Sequence, residues 1–267
     1  MTHSQKIQRL VFTACSLLAV LAGIIALVWW TDHRRSPAAS PAISHSLRIE
    51  RPGFVDITLR KLANEQWQIV EPCELQTNNQ RLQPLLDALS PAAHSYASTD
   101  VDLEAAGLIS PEALIFVDEQ RLALGATDLS GERRYLQRAD RVEFVPEWIL
   151  SLINGGLSAL AIPDVFAQGL DALRAAPMQS DGNSVKEESF TGDSLLLWKT
   201  LSAQQIVSWP LNENEEPIAS RQLLADIGGQ ETRLTLHDFQ RFVALRFEND
   251  ACAYILSGSS LPDSLFP

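Results

Sequence analysis

Residues 112–146, "EALIFVDEQRLALGATDLSGERRYLQRADRVEFVP", constrain the fold more than any other stretch. Four short runs rich in apolar and β-branched residues are separated by acidic or glycine-containing turns at regular spacing. Side chains on a strand alternate between two faces, so such a pattern builds an antiparallel meander with one face towards a core. Upstream, "FVDITLRK" alternates Val55, Ile57 and Leu59 with Asp56, Thr58 and Arg60, and "QWQIVEP" alternates again until Pro72 stops it. These two runs read as a hairpin.

Helical spacing appears between the strand runs. Leu82, Leu85, Leu86 and Leu89 fall on one helical face after Asn78 and Asn79, with Pro84 inside the segment and Pro91 beyond it. "DLEAAGL" reads as a helical turn closed by Gly107, and "PEWILSLINGGL" as a helix ended by Gly155 and Gly156. In the last third, "SLLLWKT", "QQIVSWP", "TRLTLHDF" and the pair around Asn249-Asp250 read as strands, and "EEPIASRQLLADIG" as a short helix. Strand pairs around a helix thus occur in both halves, which makes an α+β pseudo-repeat of two similar units a candidate architecture.

The run "LVFTACSLLAVLAGIIALVWW", from Leu10 to Trp30, has no charged residue. As a helix it would extend roughly 32 Å, enough to span a bilayer core. Trp29 and Trp30 sit at one end, where aromatic anchors are expected. The expected order is a cytoplasmic leader over residues 1–9, a transmembrane anchor over 10–30, and a Pro/Ser/Ala-rich linker over 31–46. A first α+β unit over 47–162 and a second over 163–267 follow. A cleaved signal is the alternative for the apolar run, since "SPAASPAIS" beyond it offers small residues.

Acidic residues number 33 against 21 Lys and Arg, and no basic stripe is present, which argues against nucleic acid as a partner. Of three cysteines, Cys15 lies in the apolar run. Cys73 and Cys252 could pair in an oxidising compartment or remain free and buried. Neither has a Cys-x-x-Cys neighbour or a ligand-spaced histidine, so no metal site and no cofactor is expected.

Catalytic signatures are equally sparse. The loop between Gly125 and Gly131 leads into an alternating strand rather than a helix, so it lacks the helix amino terminus that a phosphate cradle requires. Arg133 and Arg134, just after it, remain weak ligand-binding candidates. Trp67 and Trp209 join them as aromatic candidates, each in a strand-like run ending in proline. An enzymatic reading would need distant residues such as His94, Asp100 and Arg133 to converge.

The ordered set Trp67, Pro72, Leu85, Leu86, Gly107, Leu108, Pro111, Leu124, Gly125, Tyr135 and Val142 resembles the domain-of-unknown-function family numbered 4340 over roughly residues 57–148. The resemblance implies a membrane-tethered extracytoplasmic domain. Some relatives in that family accompany ABC-type transporters or gliding-motility machinery, and it implies no catalytic residue. The combined expectation is a non-enzymatic, single-pass accessory or scaffold protein of the bacterial inner membrane. Its main domain would be periplasmic, its lipid contact residues 10–30, and its partner another envelope protein. The alternative is a binding module for a small molecule, lipid or glycan, with an enzyme behind both.

Overall fold

The computed structural model describes residues 45–175, 179–180, 183–184, 189–211 and 216–257. The chain opens with β1 (Ser46–Glu50), β2 (Ile57–Lys61), β3 (Trp67–Glu71) and β4 (Leu75–Gln76), then α1 (Asn79–Ala88) and β5 (Tyr96–Ala97). The meander follows as β6 (Ala113–Val117), β7 (Gln120–Thr127), β8 (Arg133–Arg138) and β9 (Arg141–Pro146). Two short helices, α2 (Trp148–Asn154) and α3 (Gly156–Leu160), lead to β10 (Ala172–Ala175). A small hairpin, β11 (Gln179–Ser180) and β12 (Asn183–Ser184), precedes β13 (Ser189–Phe190) and α4 (Asp193–Lys199). The described chain ends with β14 (Gln205–Ser208), β15 (Ala219–Ile227), β16 (Gln230–Asp238), β17 (Val243–Phe247) and β18 (Cys252–Leu256).

These strands form two large antiparallel sheets. The first has the order β4-β3-β2-β1-β6-β7-β8-β9-β5, the second β13-β10-β15-β16-β17-β18-β14. Seven strands of the first, β2-β1-β6-β7-β8-β9-β5, correspond one for one to the seven of the second. In each case an opening strand pairs with the first strand of a four-strand meander, and a strand following a helix closes the far edge.

The sheets do not build separate cores. One continuous cluster of buried side chains takes in Leu47, Ile69 and Leu124 from the first, Leu85 from α1, and Leu173, Leu234, Leu245 and Leu256 from the second. Burying a side chain of this size is worth roughly 1.5–3 kcal/mol, so the shared cluster is the main force joining the two sheets. Helix α3 adds a polar link, since the Ser158 hydroxyl donates to the Ile206 carbonyl and accepts from the Ile206 amide. The Cys73–Cys252 disulfide adds a covalent one. That resolves the cysteine alternative in favour of pairing.

Arg134 and Glu143, on β8 and β9, are buried charges with partners. Arg134 donates to Glu112 at 2.9 Å and to the Gly125 carbonyl, and it also pairs with Glu147. Glu143 accepts from Arg138 Nε and from the Ala92 amide, each at 2.6 Å.

Local packing accounts for the glycines of the meander. The segment carrying Gly107 crosses β7 so closely that the Ala126 amide donates to the Ala106 carbonyl at 2.8 Å. A Cβ on Gly125 would lie 2.2 Å from that carbonyl oxygen and 2.9 Å from a Leu108 methyl. Gly107 has φ +65° and faces the Ala126 backbone. Gly125 also falls where the β7–β8 register shifts, between Leu124 and Thr127. We expect Gly125→Ala to cost about 1–3 kcal/mol through overpacking against backbone. A urea melt showing less than about 0.5 kcal/mol would contradict this packing account.

Three expectations need correction. "SLLLWKT" forms helix α4, which turns Trp198 into the core beside Phe190 and Phe166. Gly192, at φ +57°, and the Ser194 hydroxyl bonded to the Thr191 carbonyl start that turn. "ASRQLLADI" is the strand β15, with Leu223 and Ala225 inward, paired along its length with β16 and at one end with β10. The α+β, antiparallel character holds, but not its transmembrane part. Among the described residues no helix is long and apolar enough to cross a membrane. The run from Leu10 to Trp30 lies outside the described residues, as do the leader and nearly all of the linker.

Candidate functional site

The residues singled out from the sequence do not converge. Arg133 is held by Asp128, to which its Nε and Nη2 donate at 3.1 and 2.9 Å, while its guanidinium lies over the Phe144 ring. Arg134 points the other way into the buried ion-pair cluster described above. Trp67 belongs to the shared core. Trp209 is half-buried on the outer face of the second sheet, stacked on His237 with ring centres 4.8 Å apart. Burial, with a contribution from Arg246, lowers the His237 pKa from its ordinary value. His94 and Asp100 are exposed, and no hydrogen bond or ion pair among the described residues joins His94, Asp100 and Arg133.

A cleft of about 530 Å³ lies where three segments distant in sequence meet: residues 70–76 around β3 and β4, residues 162–168 after α3, and the β15–β18 end of the second sheet. Its volume falls within the range of small-molecule sites. Four carboxylates line it, Glu74, Asp164, Glu248 and Asp250, and no lysine or arginine does. Glu248 is engaged by Arg233 at 2.8 Å. Asp250 follows Asn249, which turns the β17–β18 connection at φ +64°, and its carboxylate accepts the Cys252 amide. Burial raises the Asp250 pKa, against the lowering effect of backbone hydrogen bonds and Arg246. Gln76, Gln168, Gln230 and Thr232 supply further polar groups.

The apolar wall is a chain of rings. Tyr254 meets Phe247 edge to face at 5.7 Å, and Phe247 meets Phe166 at 6.1 Å. Phe166 continues into the core through Trp198 at 6.5 Å. Edge-to-face pairs of this kind fix ring orientation as well as burying area. Burial, aided by Asp250, pushes the Tyr254 hydroxyl up to about 12, so it stays a neutral hydrogen-bonding group. Cys73 also reaches the cleft, and both cysteine sulfurs lie within 4.8 Å of an Asp250 oxygen. With the sulfurs bonded to each other, that group presents a carboxylate but no thiolate for a metal.

No protein-family model, curated protein or solved structure matches the chain. The resemblance to the family numbered 4340 is therefore not upheld, and its markers have local explanations: Gly125 and Gly107 in close backbone packing, Trp67 in the core. With no matching family model, and no helix among the described residues long and apolar enough to cross a membrane, the anchored scaffold of the inner membrane loses its basis. So do its lipid contact, its envelope or transporter-associated partner and its periplasmic placement.

Sequence reasoning missed the cleft. The Asn249-Asp250 turn and the ring-bearing positions Phe247 and Tyr254 were legible as strand elements. Their meeting with residues 70–76 depends on contacts that no local pattern encodes.

Proposed function

We propose that the chain is a non-catalytic binding module for a small polar ligand, neutral or cationic, held in the cleft between the two sheets. The lining carries the reading: every formally charged group in it is a carboxylate, and the rings of Phe166, Phe247 and Tyr254 line the same cleft. Carboxylates and side-chain amides accept hydrogen bonds from amines and hydroxyls, and aromatic faces favour cations and the C–H faces of sugars. An anionic ligand would be repelled by these carboxylates with no cation in the lining to offset them.

Native mass spectrometry and thermal-shift titration of the full chain test this, using polyamines, quaternary amines, neutral sugars and, as controls, citrate and phosphate. At least one amine or sugar is expected to bind saturably. Thr232→Arg, which places a long cation in the cleft, should raise its dissociation constant at least tenfold, about 1.4 kcal/mol. Binding confined to citrate or phosphate, or no saturable binding at all, would reject the reading.

A further inference from the structure

We propose that the ligand of the cleft is a primary organic amine with an aromatic body, its ammonium paired with Asp250 and supported by the charge of Glu74, an inference that rests on the cleft being a ligand site. The carboxylates of the lining are not equivalent. Glu74, Asp164 and Glu248 are exposed, whereas Asp250 is half-buried. Glu248 already has its cation in Arg233. Among the described residues neither Asp250 nor Glu74 forms an ion pair. Arg246 is engaged elsewhere: its Nε donates to the Asp250 backbone carbonyl at 2.9 Å, and its guanidinium carbon lies 5.7 Å from the Trp209 ring centre.

Covalent and hydrogen bonds hold these two carboxylates in place. Cys73 and Glu74 are neighbours in the β3–β4 connection, while Asp250 lies in the β17–β18 turn and Cys252 opens β18. The disulfide therefore ties the segment of Glu74 to that of Asp250 across the two sheets, and both sulfurs lie within 4.8 Å of an Asp250 oxygen. The Asp250 carboxylate accepts the Cys252 amide at 3.3 Å, and the Ala251 amide also bonds to it. These neutral donors orient the carboxylate but leave its charge uncompensated. Burial first, and then the like charge of Glu74, raise the Asp250 pKa from its ordinary value. A bound cation would offset that repulsion.

An ammonium carries a full positive charge and N–H donors, so its hydrogen bonds to a carboxylate are charge-assisted. A neutral hydroxyl would leave the charges of Asp250 and Glu74 uncompensated. A divalent metal lacks ligands there. The group among the described residues that lies close enough together to hold one is Cys73, Asp250 and Cys252, a single carboxylate beside two sulfurs bonded to each other. Calcium takes about six to eight oxygens. The body of the ligand follows from the same strand. Tyr254 shares the inward face of β18 with Cys252, and the Asp250 charge adds to burial in raising its hydroxyl. Tyr254 and Phe247, edge to face at 5.7 Å, line the cleft together. A ring joined to the ammonium by a short chain meets this apolar wall, and aromatic faces also attract the cation itself.

Calorimetric titration of the full chain with 2-phenylethylamine is the test. The controls are 2-phenylethanol and phenylacetate, which keep the ring and change the charge of the head group, and calcium chloride. The amine is expected to bind saturably, with a dissociation constant at least tenfold below that of the alcohol or the acid. Asp250→Asn, which keeps an oxygen for the Cys252 amide, should weaken the amine at least tenfold and the alcohol less than twofold. Glu74→Gln, at an exposed position, should weaken the amine at least threefold with no change in Tm. The proposal is overturned by the alcohol or the acid binding as tightly as the amine, by calcium displacing the amine at equal concentration, or by unchanged amine affinity in either variant. Saturable binding of a neutral sugar but not of the amine would overturn it and leave the cleft a ligand site. Absence of saturable binding by amines and sugars alike would overturn both.

Discussion

Replacing Cys73 and Cys252 together by serine is expected to lower the stability of the chain by about 5 kcal/mol. The disulfide joins residues separated by 179 positions, from the β3–β4 connection to the start of β18. A cross-link restricts the unfolded chain in proportion to the logarithm of the loop it closes, and a loop longer than 100 residues falls near the top of that scale. The folded side reinforces the effect. Cys252 is fully buried and Cys73 nearly so, within the core that both sheets share. The serine hydroxyls would enter that core in place of sulfur. Guanidinium melts of the oxidised chain and the double variant measure the difference. A loss below about 1 kcal/mol would mean that the shared apolar core alone sets how the sheets are joined.

Glu143→Ala is expected to cost about 3–5 kcal/mol, because it leaves Arg138, whose side chain is only 12% exposed, without its buried carboxylate partner. Glu143 is 3% exposed and holds both Arg138 and the Ala92 amide. Arg138 also donates to the Leu89 carbonyl and to Gln120, so one guanidinium ties the end of α1 to β7 and β9. Removing the carboxylate leaves that cation in place with only neutral acceptors. The double variant Glu143→Met/Arg138→Met separates the two contributions: with neither charge present it should lose less than Glu143→Ala. Equal losses in chemical denaturation would show that packing, rather than the unpaired charge, dominates.

What could be read from the chain and what could not divide along a physical line. Strands β6 to β9 were legible because each pairs with its neighbour in sequence, so turn residues and alternation carry the information locally. Helix α4 and strand β15 were exchanged for related reasons. "SLLLW" is an unbroken apolar run with no period to separate helix from strand. Leu223, Leu224 and Ile227 sit at helical spacing on a segment whose conformation is set by pairing with β10 and β16. The cleft lay beyond reach because residues 70–76, 162–168 and 227–254 meet only once both sheets are assembled.

The repeated strand order bears on stoichiometry. If the two sheets were identical copies related by a twofold operation, every concavity would occur twice, and a ligand would bind with two equivalents per chain. The sheets differ by two strands: β3 and β4 extend the first beyond β2, whereas among the described residues the second stops at β13. Residues 70–76, which come from that extension, form one wall of the cleft. The extension therefore breaks the equivalence, and titration to saturation at the cleft should end at one ligand per chain.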